Sequence, residues 1–169
     1  RVYAGPYCST LLGDMGAEII KIEPPGGEVM RDNPPQVENG KGGPHTASRS
    51  GYFLGLNRNK YGMTLNLKHP KALQIFKDLV KISDVVLENY RPGVMERLGI
   101  GYSVLKKINP RIILGSISGF GQDGPYANRM GFDTIAQAMS GFISLTGHPG
   151  GPLTKAGTSL ADANAGVHA

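Results

Sequence analysis

The chain has 169 residues, a length that suits one globular domain and does not require two. Hydrophobic residues make up 40% and charged residues 18%, which excludes a disordered chain, and no apolar run is long enough to span a bilayer. The net charge of +5 suits anionic ligands such as phosphates, but the basic residues are scattered, so a nucleic-acid partner is not expected.

The amino-terminal third predicts one helix, one strand and a long loop. A helix over residues 7–15 ends at Gly16, and residues 18–23 (EIIKIE) form a strand that ends at two prolines. Cys8 is the single cysteine and is predicted to be a small packed residue of that helix. Residues 24–50 are rich in Gly, Pro and Asn and can bury little apolar surface, so we expect them to be mobile or to contact a partner.

The rest of the chain alternates between strand and helix. Residues 63–67, 84–88 and 111–117 are predicted strands. A helix begins at Pro70, and its apolar face recurs at helical spacing, at Ala72, Ile75, Phe76, Leu79 and Val80. Residues 132–140 are predicted to form a further helix. This alternation predicts an α/β fold with a Rossmann-like, mainly parallel sheet and flanking helices.

A glycine pattern after the last predicted strand resembles a dinucleotide-binding turn. Gly119, Gly121 and Gly124 have the spacing G-x-G-x-x-G. However, Pro125 follows at once and no long helix is predicted to begin there. The residues after the next short strand, near Thr146, also lack the acidic residue that would bind a ribose hydroxyl. We therefore predict turns that need positive φ rather than a dinucleotide site.

Several motifs in register resemble the class III CoA-transferase family, which includes formyl-CoA and carnitine CoA-transferases and α-methylacyl-CoA racemase. They are Ala4-Gly5-Pro6, residues 12–23 (LGDMGAEIIKIE), residues 57–60 (NRNK), residues 88–93 (ENYRPG), and Ser118-Gly119-Phe120-Gly121 with Gly124-Pro125. The resemblance covers essentially the whole chain in order, but only about the first half of a full-length member. It implies that residues 1–169 are the amino-terminal part of the large CoA-binding domain, truncated at both ends.

The resemblance places the catalytic nucleophile at Asp162, within the small-residue stretch of residues 160–168 (LADANAGVH). It implies that this carboxylate attacks an acyl-CoA thioester to form a mixed anhydride, and that the released CoA thiolate then forms an aspartyl-CoA thioester. An incoming acid repeats the steps in reverse, so CoA is a substrate and no permanent cofactor is expected. From the residues alone, a helix N-cap is the favoured interpretation of Asp162, and this role is compatible with catalysis.

Two more residues match active-site positions of the family. They are Tyr3 and Asp133, where formyl-CoA transferase has Gln and Glu, which implies a different acid substrate. Without the resemblance, Tyr3 is a surface tyrosine and Asp133 is a helix N-cap.

Positions that contact CoA in the family correspond to Leu65, Lys68, Asn89, Tyr90 and Arg97. Lys68 and Arg97 suit phosphates, Tyr90 suits adenine or the pantetheine arm, and Asn89 can form hydrogen bonds along that arm. For the two cations, the alternative is a solvated charge at a helix end. Pro24 stands where the family has an arginine that binds the CoA nucleotide, so that contact is not expected here.

Two alternatives remain beside a transferase that acts on acyl-CoA and carboxylic acids. The racemase branch needs a histidine at the position of Phe132, and phenylalanine cannot carry a proton. A non-catalytic CoA- or nucleotide-binding module is the other alternative. The four histidines, His45, His69, His148 and His168, show no metal-ligand spacing, so no metal is expected.

The resemblance also implies a homodimer of interlocked, ring-like chains in the full-length protein. A chain of half that length cannot close the ring, so we expect this piece alone to be inactive. With no signal or membrane segment visible, a cytoplasmic or mitochondrial-matrix location is expected, although the start is missing.

Overall fold

The computed structural model describes residues 2–36 and 50–169. Its helices are α1 (Ala4–Asp14), α2 (Gly51–Asn57), α3 (Pro70–Ile82), α4 (Val94–Arg97), α5 (Tyr102–Ile108), α6 (Asp133–Met139) and α7 (Leu160–His168). Its strands are β1 (Ile20–Glu23), β2 (Tyr61–Thr64), β3 (Val85–Glu88) and β4 (Ile113–Ser116). Two short 3-10 helices lie at Val29–Asp32 and Phe142–Leu145. The predicted α/β class with parallel strands and flanking helices is confirmed.

The strands form two separate parallel pairs, β1 with β2 and β3 with β4, rather than one continuous sheet among the described residues. The predictions for residues 18–23, 84–88 and 111–117 each contain a strand of the structure. Strand β2 begins two residues before the predicted segment 63–67 and ends three residues before its end. Helices α2 and α5 were not predicted.

Helix α1 begins at Ala4, three residues before the predicted helix at residues 7–15. It takes in Gly5 and Pro6, which lie before the predicted helix. A proline fits the first turn of a helix because its missing N–H has no intrahelical acceptor there. A proline at this position is therefore compatible both with a turn and with the start of a helix.

The pair β3–β4 lies between two layers of helices. Val86 and Leu114, which are paired in register, pack against a core built from α3, α4 and α5. The centre of that core is fully buried, with Ile100 and Leu105 at 0% exposure. Successive strand residues point to opposite faces, so Leu87 packs on the other side, against the cluster of α1 and α7. This arrangement is the three-layer plan of a Rossmann-like fold.

Part of the predicted long loop is anchored to β1. The guanidinium of Arg31 donates two hydrogen bonds to the carboxylate of Glu23, at 2.8 and 2.7 Å, and stacks 3.9 Å from the centre of the Phe53 ring. Burial alone would raise the pKa of Glu23, but the bonds from Arg31 and from the Glu28 N–H lower it. Within residues 24–36, Glu28 and Met30 are buried against their own chain, and residues 37–49 lie outside the described residues.

The glycine pattern at residues 119–124 serves packing and turns. A Cβ on Gly119 would lie 2.5 Å from the Cα of Gly131, so only glycine allows these two backbones to meet. Gly121 and Gly124 have φ of +84° and +88°, as predicted for turns. The next helix, α6, begins only at Asp133, so the pattern lacks the helix that a dinucleotide-binding turn requires.

Helix α7 packs directly on α1 through Gly166. A Cβ at Gly166 would lie 2.7 Å from the carbonyl oxygen of Ala4 and 3.2 Å from the backbone nitrogen of Cys8. Cys8 is buried in this contact, which confirms its predicted packing role. No helix in residues 2–36 and 50–169 has the length and apolar character needed to cross a membrane.

We expect Gly166→Ala to lower the free energy of unfolding by about 1–3 kcal/mol, because the added methyl group forces α7 away from α1. Gly55→Ala is the matched control, since Gly55 is also helical but has no atom within 4 Å of an added Cβ. Alanine there should stabilise the protein by roughly 0.5–1 kcal/mol. Urea unfolding of both variants measures the difference, and equal effects would contradict the close approach.

Candidate active site

Asp162 lies in the first turn of α7, half-buried, and its helix begins after Ser159. The N-cap residue is Ser159, so the alternative in which Asp162 caps its own helix is wrong. Because α7 is packed on α1 through Gly166, the position of Asp162 follows from the contact between these two helices. Its carboxylate is therefore presented on a helix whose axis is fixed by the scaffold.

The carboxylate of Asp133 binds the amino terminus of α7. Its Oδ1 accepts hydrogen bonds from the backbone N–H of Ala161, at 2.8 Å, and of Asp162, at 3.4 Å. Asp133 is the first residue of α6 and follows the N-cap Phe132, so the alternative in which it caps α6 is wrong. It caps a different helix instead, and the positive end of the α7 dipole favours its charge.

Gln137 holds the other oxygen of Asp133. Its Nε2 donates to Asp133 Oδ2 at 2.6 Å and to the Thr158 carbonyl at 3.3 Å, while its Oε1 accepts from the Ala156 N–H at 2.9 Å. Gln137 is 2% exposed and Asp133 9% exposed. The pair therefore ties the segment that enters α7 to helix α6.

Two tyrosines complete the surroundings of Asp162. The rings of Tyr3 and Tyr52 meet edge to face with centroids 5.7 Å apart, and the side chain of Ser159 lies beside Tyr52. Burial, the neighbouring Tyr7 and the negative charges of Asp162 and Asp133 raise the pKa of Tyr3. The structure thus brings together all three predicted catalytic residues, Tyr3, Asp133 and Asp162.

The electrostatics of Asp162 differ from those of a surface carboxylate. Burial, and then the negative charge of Asp133, raise the pKa of Asp162 above its ordinary value. Both effects disfavour the ionised form, since water is removed and a like charge lies close. A perturbed carboxylate of this kind is typical of functional sites.

The predicted CoA contacts follow the carboxyl ends of two strands. Leu65 follows β2, while Asn89 and Tyr90 follow β3, and ligands of α/β folds commonly bind at such ends. Asn89 donates its amide to the Ile117 carbonyl at 2.7 Å, and Tyr90 packs partly against the core. Lys68 and Arg97 are exposed, and their contact with phosphates stays a prediction.

Sequence reasoning missed Gln137, Tyr52 and Ser159. One signal for Gln137 was present, because it follows Asp133 by four residues and such pairs face each other on a helix. Tyr52 and Ser159 gave no signal, since their contacts join segments far apart in the sequence.

The described histidines have local or terminal positions. His69 caps α3, where its Nδ1 accepts from the Lys71 N–H at 3.2 Å, and His168 is the last residue of α7. Among residues 2–36 and 50–169, no three side chains of His, Cys, Asp or Glu are grouped as a metal site would need. His45 lies outside the described residues.

The structure is an α/β scaffold of parallel strand pairs that presents two carboxylates, Asp133 and Asp162, at the amino terminus of α7. The model of CoA-transferase family III matches residues 1–169. The chain therefore belongs to CoA-transferase family III, and the resemblance found in the sequence is confirmed.

Named relatives agree with this assignment. The chain is 49% identical to the acetyl-CoA:oxalate CoA-transferase of Acetobacter aceti over 99% of its length and 41% of that protein. It is 43% identical to the succinyl-CoA:glutarate CoA-transferase of Mus musculus, covering 37% of it. The crystal structure of a CAIB/BAIF family protein from Brucella suis superposes with a TM-score of 0.92 at 37% identity, over 99% of this chain and 43% of that one. The chain thus spans about two fifths of these proteins.

We expect Asp162→Asn to stabilise the protein at neutral pH. Folding raises the pKa of Asp162. Above that pKa the ionised carboxylate destabilises the native state, and this destabilisation disappears as the pH falls. The stability gain of the variant should therefore be present at about pH 7 and shrink toward about pH 4. Urea unfolding at both pH values measures it.

Asp78→Asn is a control for which we expect the stability to change in the opposite direction. The hydrogen bond from Lys81 lowers the pKa of the exposed Asp78, so its ionised form stabilises the folded state. This variant should lose stability at neutral pH and approach the wild type as the pH falls. The same pH dependence in both variants would contradict the assigned environment of Asp162.

Proposed function

We propose that this chain is the amino-terminal part of a CoA-transferase that moves coenzyme A from an acyl-CoA to a carboxylic acid through Asp162. The observation that carries the proposal is the half-buried carboxylate of Asp162 in the first turn of a helix held by a second carboxylate, Asp133. At the relatives' full length, the protein would form the interlocked dimer implied by the family.

The chemistry needs one carboxylate and no external energy. Asp162 attacks the thioester carbonyl, the C–S bond breaks, and an acyl-aspartyl anhydride and CoA thiolate form. The thiolate attacks the aspartyl carbonyl of the anhydride, which releases the donor acid and leaves an aspartyl-CoA thioester. The acceptor carboxylate then attacks this thioester, and the returning thiolate yields the new acyl-CoA and free Asp162. Each bond formed is about as reactive as the bond it replaces.

Tyr3 and Asp133 have distinct supporting roles in this proposal. Tyr3 lies beside Asp162, with its hydroxyl held in the neutral, donating form by a raised pKa, so it can donate a hydrogen bond to a bound carboxylate or anhydride oxygen. Asp133 keeps α7 in place, because its carboxylate accepts hydrogen bonds from the backbone N–H groups of Ala161 and Asp162. In this proposal, Tyr3 contacts the substrate, while Asp133 holds the helix that carries the nucleophile.

The names of the relatives support a proposal for the acid substrates. The named relatives act on oxalate and glutarate, which are dicarboxylic acids. We propose that this protein also uses a dicarboxylate, and its net charge of +5 is suited to attracting such anions.

We expect full-length Asp162→Ala to bind CoA and to transfer none of it, because the attacking oxygen is absent. Transfer is measured with acetyl-CoA and succinyl-CoA as donors and oxalate and glutarate as acceptors. In the wild type, hydroxylamine or borohydride applied during turnover should modify Asp162, which peptide mass spectrometry detects.

Asp123→Ala is the matched control for this experiment. Asp123 is an exposed aspartate in the turn after β4, and its removal should leave turnover unchanged. Normal turnover by Asp162→Ala would disprove the nucleophile. CoA binding by the wild type without any transfer would instead favour a non-catalytic CoA-binding module.

The CoA placement generates a second test. Lys68→Ala and Arg97→Ala should each weaken CoA binding by about 1–3 kcal/mol if they contact phosphates. Isothermal calorimetry with the full-length protein measures the affinity, and Lys107→Ala, on the exposed side of α5, is the control. Unchanged affinity in both variants would place the nucleotide elsewhere.

A further inference from the structure

Gln137 is almost completely buried and all of its amide atoms are engaged by protein groups. Its Nε2 donates to Asp133 and to the Thr158 carbonyl, and its Oε1 accepts from the Ala156 N–H. At 2% exposure it has neither a free atom nor an open path toward a substrate. Whatever Gln137 contributes to function, it contributes through the residues it holds.

Asp133 links Gln137 to the backbone of the nucleophile. Gln137 binds Asp133 Oδ2, and Asp133 Oδ1 binds the N–H groups of Ala161 and Asp162. Gln137 also fixes the backbone at Ala156 and Thr158, just before α7 begins. The side chain of Gln137 therefore holds both the backbone just before α7 and the carboxylate that caps α7.

We propose that Gln137 is a positioning residue for the CoA-transfer reaction, which holds Asp133 and the first turn of α7 so that Asp162 meets the thioester carbonyl in a productive geometry. The inference rests on the proposed function. It extends that function to a residue that the substrate does not touch.

A second Gln–Asp pair in the chain allows the positioning role of Gln137 to be distinguished from ordinary helix stabilisation. On α3, Gln74 donates to Asp78 at 3.2 Å, also at a spacing of four residues, but both side chains are exposed and, among the described residues, their bonds stay within α3. Exposed pairs at this spacing contribute little to stability. The Gln137–Asp133 pair has the same local chemistry but joins two helices, so its loss displaces a second element.

The experiment compares full-length Gln137→Met with Gln74→Met. Methionine keeps the side-chain length and removes every hydrogen bond. We expect Gln137→Met to lower kcat by about 10- to 100-fold, since small displacements of a reacting group cost rates of this order. KM for acyl-CoA should change little, because Gln137 does not contact it. Gln74→Met should match the wild type in both constants.

Gln137→Glu adds a readout that a general loss of stability does not produce. Glutamate keeps the acceptor for the Ala156 N–H but places a second carboxylate 2.6 Å from Asp133. Two carboxylates this close share a proton at low pH, which restores the bond. The kcat of Gln137→Glu, relative to wild type, should therefore recover as the pH falls, while that of Gln137→Met should stay low at every pH.

Hydrogen exchange tests the positioning independently of activity. The backbone amides of Ala161 and Asp162 should exchange faster in Gln137→Met than in the wild type or in Gln74→Met. Unchanged exchange, or a kcat equal to that of the wild type, would overturn the role of Gln137. Faster exchange in a protein whose wild type transfers no CoA would support the role in holding α7 and refute the proposed function.

Discussion

The buried carboxylate of Asp133 at the amino terminus of α7 is the interaction on which the site depends. A buried charge is costly unless it is hydrogen-bonded, and here the backbone N–H groups of α7 and the amide of Gln137 supply those bonds. Neither α6 nor α7 can shift without breaking them. The position of Asp162 is therefore set by the packing of two helices rather than by its own side-chain contacts.

Close backbone contacts at glycine residues also hold the elements of the site in place. Gly166 lets α7 rest on α1, and Gly119 meets Gly131 two residues before Asp133. Both contacts lie next to elements that carry a carboxylate of the site. The small residues of α7 and the glycine pattern after β4 thus serve placement of the site, and nothing in them requires a nucleotide.

The family motif at residues 57–60 is also mainly structural. The amide of Asn59 donates to the Gly13 carbonyl at 2.8 Å, and the Lys60 ammonium donates to the carbonyls of Pro6 and Leu56, each at 2.7 Å. Burial, with the nearby charge of Lys21, lowers the pKa of Lys60 to about 8. These bonds join α1 to α2, so the motif supports the same helix against which α7 packs.

The sequence by itself determined the α/β class, the family, and segments that contain three of the four strands of the described residues. Those features rest on local periodicity and on motifs whose residues are close together in the chain. Tertiary structure alone decided that Asp133 caps α7, that Gln137 holds Asp133, and that Tyr52 lies beside Ser159. Each of these contacts joins residues about 20 to 110 positions apart, except the pair within α6, and no local pattern encodes which distant N–H a buried carboxylate will meet.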